Sequence, residues 1–336
     1  MLSPMGTASS PPVVEVENLH KTFRPEVFGK PVTALRGVTF TVREGECFGY
    51  LGQNGAGKTT TLKVLTGLMT PSKGRASLLG RPVGDAGARR DLGYLPENPY
   101  FYEHLTPVEA LQFYGRLSGV SAADVTARTP VLLERVQLAD VGDRRIRGFS
   151  KGMRQRLGLA AALVAEPPLL LLDEPLSGLD PLGRHLVKEI VLEERKLGRT
   201  VFMCSHVLSD VEALCDHVVV IHGGVVVKDG AIQDLLDSAP KSFELCADRV
   251  PEDVRRRIAA AATTYRESGD YVTARFPGPA TGPEMASAVH AAGGRVQSLI
   301  PERESLETWF VRVTGRETAR VGSGPPPDAG FDGDRS

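Results

Sequence analysis

From Val13 to about Ala239 the hydrophobic positions fall into short β-rich runs that alternate with helical patterns, the mark of an α/β domain with a largely parallel central sheet. Strands are expected near Val13–Val16, Thr39–Val42, Cys47–Leu51, Gly93–Leu95, Leu169–Leu172, Thr200–Cys204 and Val218–His222. The run Leu169–Leu172 is apolar on both faces, which a central parallel strand covered on two sides requires. Between Pro107 and Ala139 the period becomes helical, through Val108, Leu111, Phe113, Tyr114 and Leu117 and then Val131, Leu132, Leu133 and Val136. These residues read as a helical insertion lying off the sheet.

Beyond Leu236 the composition shifts through Asp237-Ser238-Ala239-Pro240 into a new cycle. It has strand-like Ser242–Ala247, helical Pro251–Ala262, strand-like Tyr271–Phe276, helical Pro283–Ala292 and strand-like Arg295–Ile300. A last helix would carry Leu306, Trp309, Phe310 and Val313 on one apolar face. The expected organisation is therefore a leader over 1–12, an α/β domain over 13–239 with a helical part at about 97–165, and a small α+β domain over 240–314. Residues 315–336, rich in Gly, Pro, Asp and Arg, read as a disordered tail. The small domain is open to two readings, a regulatory or dimer-stabilising module and a structural appendage.

Composition narrows the function classes. A chain of 336 residues with 41% hydrophobic content is ordinary soluble globular protein. A net charge of −1 supplies no global basic field, so gripping nucleic acid through its phosphates is not expected. Cys47, Cys204, Cys215 and Cys246 show no C-x-x-C pairing and read as reduced thiols of a cytosolic protein rather than a zinc or disulfide framework. The longest apolar stretch, Leu157 to Leu172, is interrupted by Glu166-Pro167-Pro168, so no membrane span is expected. The first twelve residues have neither a basic start nor an apolar centre, which argues against a secretion signal.

The chemistry begins at Gly52-Gln53-Asn54-Gly55-Ala56-Gly57-Lys58-Thr59-Thr60, which fits the phosphate-loop spacing G-x-x-x-x-G-K-[ST] and follows the buried run Glu46–Leu51. Glycines let the backbone curl so that its N–H groups face phosphate oxygens. Lys58 can reach the outer phosphates and the Thr59 hydroxyl can ligate magnesium. A helix from Thr59 to Thr66 would aim its positive end at the same anion. Asp173-Glu174 closes the leucine strand, where Asp173 can hold magnesium and Glu174 can face a water attacking the terminal phosphate. A plain cap or surface pair would also produce Asp-Glu at a strand end.

With Pro175-Leu176-Ser177-Gly178-Leu179-Asp180-Pro181 and His206 after the strand Val201–Cys204, the chain resembles the ATP-binding-cassette (ABC) ATPases over about Val13 to Asp234. The resemblance implies a phosphate-loop NTPase fold with an N-terminal antiparallel β subdomain and a helical subdomain. It implies Glu174 as catalytic base and His206 as a switch histidine on the terminal phosphate. Ser177–Asp180 would be the loop that links paired cassettes, and Phe23 would stack on adenine, although a phenylalanine after a strand is almost as readily a core residue. Phe149-Ser150-Lys151-Gly152-Met153 stands in place of the family's L-S-G-G-Q, retaining Ser150 and Gly152 and departing at Lys151 and Met153. In the family this segment binds the terminal phosphate of ATP held by the opposite subunit. A simple N-cap of Lys151–Leu163 is an equally physical account of Ser150. Glu97 takes the place of a glutamine that in many family members touches magnesium.

These variants, with the small C-terminal domain, are similar to a subgroup of exporter cassettes that pair with a separate membrane protein. The resemblance thus implies a subunit that hydrolyses Mg-ATP and pairs head to tail with a second cassette, most simply another copy of this chain. It would work at the cytoplasmic face of the membrane through a separate permease that selects the cargo. The competing expectation is a soluble ABC ATPase acting on a macromolecular complex.

Overall fold

The structure is a computed structural model, and it describes residues 12–24, 30–236 and 242–302. The chain divides into two compact units, Met1–Ile232 and Gln233–Ser336. The expected final helix around Leu306 and Trp309, the tail over 315–336 and nearly all of the leader lie outside the described residues.

The first unit opens with β1 (Pro12–Phe23) and β2 (Val32–Arg43), both longer than the apolar runs alone suggest because they zip together as an antiparallel pair. Pro12, assigned to the leader by composition, is the first residue of β1 and pairs with Arg43. Next come β3 (Cys47–Leu51), α1 (Lys58–Leu65), β4 (Lys73–Leu78), β5 (Arg81–Pro82), α2 (Ala86–Arg90) and β6 (Leu92–Leu95). The helical insertion contains α3 (Pro107–Leu117), α4 (Ala122–Arg135) and α5 (Lys151–Leu163). The α3 start is fixed by a capping box in which Thr106 and Glu109 each bond the other's backbone N–H, with Pro107 at the first turn. Gly119, at φ +82°, lets the chain turn before Ser121 caps α4.

The unit finishes with β7 (Leu169–Asp173), α6 (Pro181–Lys196), β8 (Thr200–Ser205), α7 (Leu208–Leu214), β9 (His217–His222) and β10 (Val225–Ala231), and α8 (Ile232–Leu236) begins at its boundary. The central sheet has the order β10-β9-β3-β8-β7-β6. Every pair from β9 to β6 is parallel, and β10 closes the edge antiparallel to β9. A second sheet, β2-β1-β4-β5, is antiparallel throughout. The two share a core in which Phe40 of β2 meets Phe48 of β3 and Phe202 of β8 at ring-centre distances of 5.5 and 5.8 Å. This packing leaves the carboxyl ends of β3, β8 and β7 side by side, the edge at which parallel α/β sheets bind ligands.

The second unit runs β11 (Ser242–Asp248), α9 (Glu252–Ala261), β12 (Thr264–Ser268), β13 (Tyr271–Pro277), α10 (Thr281–Ala291) and β14 (Arg295–Glu302). Its sheet order β12-β13-β11-β14, antiparallel at every pair, is the ferredoxin-like βαββαβ arrangement. The helices and one sheet face enclose their own core of Leu245, Val254, Ile258, Val272, Phe276 and Val289.

Candidate active site

The loop after β3 is built by its glycines. Gly57 sits at φ +114°, and a Cβ there would lie 2.8 Å from Leu35 Cδ2 and 2.9 Å from the Ala34 carbonyl. A Cβ on Gly52 would lie 2.6 Å from the Ile221 carbonyl, so the chain leaves the sheet in contact with backbone. Helix α1 then starts at Lys58, whose ammonium donates to the Gly52 carbonyl at 2.7 Å and the Gln53 carbonyl at 3.3 Å. The loop wraps a cavity of about 370 Å³ lined by Ala34, Gln53, Asn54, Gly55, Gly57, Lys58, Thr59, Thr60, Glu97 and Glu174. That volume suits a small-molecule ligand.

Neighbouring strands deliver the remaining groups. Leu51 of β3 is level with Ser205 of β8, and Asp173 of β7 is level with Cys204, so His206 and Glu174 emerge beside the loop. Glu174 is almost wholly buried; its Oε2 lies 2.8 Å from His206 Nδ1 and its Oε1 lies 3.4 Å from Lys58 Nζ. Its backbone has φ +50°, the left-handed region that side-chain-bearing residues seldom occupy and that clusters at functional sites.

Asp173 is 1% exposed, and among the described residues neither carboxylate oxygen has a partner within good hydrogen-bond geometry. Burial raises its pKa to about 6; the nearby Thr59 hydroxyl and Lys58 oppose that rise, while the charges of Glu174 and Glu97 add to it. An orphaned buried carboxylate beside a threonine hydroxyl is a hard oxygen donor set, and it fits magnesium, which also keeps several waters.

Not every expected residue lines this cavity. Gly52 and Ala56 shape the loop from behind, the Ala56 N–H donating to the Gln53 carbonyl and its own carbonyl accepting from the Gly224 N–H. Phe23, 40% exposed at the end of β1, is not among the lining residues; Lys21 Nζ sits 5.5 Å from its ring centre. Ser150 caps α5 by accepting from Met153 N at 3.2 Å, and Asp180 caps α6 by accepting from Gly183 N at 2.9 Å. Ser150, Gly152, Asp173, Asp180 and His206 all lie outside the cavity wall, though His206 adjoins it through Glu174, Asp173 lies beside Thr59, and Gly152 is close to Leu179 and Gly178.

Three residues that no motif singles out also belong here. Ala34 reaches the cavity from β2 and leaves no sequence signal. Arg184 joins the Leu176 carbonyl at 3.2 Å to Asp210, both of whose oxygens it meets at 2.8 Å, and so ties the loop after β7 to α7. Gln155 donates to the carbonyls of Glu174 and Pro175. A glutamine in register with buried Leu159 and Ala162 on one helix face is its readable trace.

The ABC transporter family model matches residues 35–177. An ABC transporter ATP-binding protein of Nostoc sp., itself uncharacterised, is 38% identical over 316 residues, covering 91% of this chain and 90% of its own length. The chain belongs to the ABC transporter ATP-binding proteins. It is accordingly an ATPase, since ATP hydrolysis is intrinsic to this family. The Nod factor export ATP-binding protein I of Cupriavidus metallidurans is 33% identical, over 91% of this chain and 98% of its own. A solved ATP-binding subunit of an ABC transporter aligns with TM-score 0.61 and 36% identity, over 66% of this chain and 91% of that one. A dimeric cassette solved in a post-hydrolysis state with ADP and phosphate shares the fold, with TM-score 0.60 and 22% identity over 65% of this chain and 98% of that one. Among the described residues no helix is long and apolar enough to cross a membrane.

Proposed function

We propose that two copies of this ABC subunit close head to tail over two ATP molecules and drive export through a separate membrane permease. The observation that supports this reading is a divided set of groups. Lys58, Thr59 and Glu174 line one cavity, with His206 bonded to Glu174 and Asp173 beside Thr59 just behind the wall, while Ser150 and Gly152 head α5 outside it. In a head-to-tail pair, Ser150 and Gly152 of one copy complete the site of the other, with backbone N–H groups at a helix start suited to a terminal phosphate.

Within each site the backbone of Asn54, Gly55, Ala56 and Gly57 and the Thr60 turn cradle the phosphates, and Lys58 pairs with the outer ones. Glu174 accepts the proton of the attacking water, and His206 holds the Glu174 carboxylate and bonds the terminal phosphate. Thr59, Asp173 and Glu97 would hold magnesium, which when bound supplies positive charge against the phosphate oxygens. Phe23 is placed on the adenine, and Asp180 on the loop facing the second copy.

Closure with ATP and reopening after hydrolysis is a population shift that can be coupled to work in a partner. Glu97 and the insertion after Pro107 form the docking side for the permease. Exposed Tyr100, Tyr102 and Phe113, with Leu117, give that side an apolar, largely aromatic surface. The chain would then sit at the cytoplasmic face of the membrane, held there by the permease, which selects the cargo. Export as the direction follows the Nod factor export relatives. The test is Glu174→Gln: the variant should bind ATP, lose turnover and accumulate an ATP-dependent dimer in size-exclusion chromatography. Undiminished ATPase activity would refute Glu174 as the base.

A further inference from the structure

Gln155 lies five residues beyond the Ser150 cap, about 7.5 Å along the α5 axis. It is 1% exposed, and its Nε2 donates to the Glu174 carbonyl at 3.3 Å and the Pro175 carbonyl at 3.4 Å. Those two acceptors decide which end of the amide faces the loop. The other end, Oε1, is buried without a partner among the described residues. A side chain present only to fill this space would carry no such unmet polar atom; leucine or methionine would serve better.

What Gln155 holds is the backbone of the residue placed as the base. The Glu174 N–H donates to the Cys204 carbonyl of β8 at 3.1 Å, and its carbonyl is taken by Gln155, so the left-handed conformation at φ +50° is pinned from both sides. The same helix touches the far end of the loop. A Cβ on Gly178 would lie 2.7 Å from Lys151 Cδ, and one on Gly152 would lie 3.3 Å from Leu179 Cδ2. One helix of 13 residues therefore contacts the Glu174–Asp180 segment at both ends, while its first turn carries Ser150 and Gly152.

We propose that Gln155 is a positioning residue that links the start of α5 to the Glu174 carboxylate. When the terminal phosphate of ATP bound to a second copy engages Ser150 and Gly152, α5 is fixed as a unit, and the Gln155 amide fixes the Glu174 backbone in the orientation from which its carboxylate meets the attacking water. This link rests on the head-to-tail pairing proposed for the subunit.

The test uses the full chain with Gln155→Met, which keeps length and loses the amide, and Gln155→Asn, which keeps the amide one methylene short. Both should retain a KM for ATP within twofold and still form the ATP-dependent dimer in a Glu174→Gln background, while kcat falls tenfold or more. Turnover of Gln155→Met within twofold of the parent overturns the proposal. So does a loss of nucleotide binding and dimerisation in step with kcat, or a fall in rate that only tracks the folded fraction seen by thermal melting. Failure of the underlying pairing is separately visible, because Glu174→Gln with native Gln155 would then form no ATP-dependent dimer.

Discussion

His206 and Glu174 share a hydrogen bond of 2.8 Å between Nδ1 and Oε2, and the other carboxylate oxygen stands 3.4 Å from the Lys58 ammonium. One buried carboxylate thus joins three separate stretches of the chain. Groups linked in this way act as a unit and lose more than additive energies when cut apart. Replacing His206 by Ala should lower kcat about 100-fold. Combined with Glu174→Gln, the further loss should be far smaller than that factor. Steady-state ATPase assays on the two single variants and the double variant check the coupling; full multiplicative losses would show that the two act independently.

Asp173, proposed above as a magnesium ligand, is buried at a cost in stability. Its pKa is raised to about 6 from an ordinary 3.8, so the folded chain keeps a proton that the unfolded chain has already released. Stability of the nucleotide-free chain therefore falls as pH rises between about 4 and about 6, by up to about 3 kcal/mol, and stays low above that window. Asp173→Asn removes the charge. It should raise the melting temperature at pH 8 without magnesium, leave it little changed at pH 4, and lower magnesium-dependent turnover at least about 100-fold. Melting curves with and without chelator across this range test the sign.

Two glycines of the loop should part stability from binding. Gly57→Ala combines φ +114° with contacts at 2.8 and 2.9 Å to Leu35 and Ala34, and should cost about 3 kcal/mol. Gly55, at φ +82°, has no described heavy atom within 4 Å of an added Cβ, so Gly55→Ala should cost only about 1 kcal/mol. That methyl would nevertheless enter the cavity proposed to hold the phosphates and should weaken ATP binding tenfold or more. Chemical denaturation together with nucleotide titration separates the two effects.

The helical insertion is fastened to the core through a buried acid. Glu194 of α6 is fully buried and pairs with Arg135 of α4 and with Arg199. Arg135 also reaches the neighbouring Glu193 at 2.7 Å. Glu194→Ala leaves two partly buried guanidinium groups short of a partner and should destabilise the chain by about 3 kcal/mol. Urea denaturation measures it, and a cost under about 0.5 kcal/mol would show that Arg135 is satisfied by Glu193 alone.

Where the chain carries its own local signal, sequence and structure agree closely. The α5 span Lys151–Leu163 with Ser150 as cap, the buried strand Leu169–Asp173 and the glycine loop before Lys58 all rest on capping, two-sided burial and turn chemistry within a few residues. The strands β4, β5 and β12 leave no clear signal, because their sequences are polar or glycine-bearing and become strands only by pairing with a neighbour, whereas β10 does carry one, in Val225-Val226-Val227, that the expected strand set lacks.

Residue order alone establishes the chemistry available: a loop that can cradle phosphates, an acid pair at a strand end, a histidine after another strand and a serine at a helix start. Packing settles which of these meet. Parallel strands are joined by crossovers, and the order β3-β8-β7 that brings Gly52, His206 and Glu174 to one edge is set by side-by-side packing across long sequence separations. The same packing buries Asp173 with its oxygens unmet, sets Gln155 against the Glu174 carbonyl and keeps Ser150 out of the cavity. None of those distances is encoded in a local pattern, because each depends on which elements the core brings into contact.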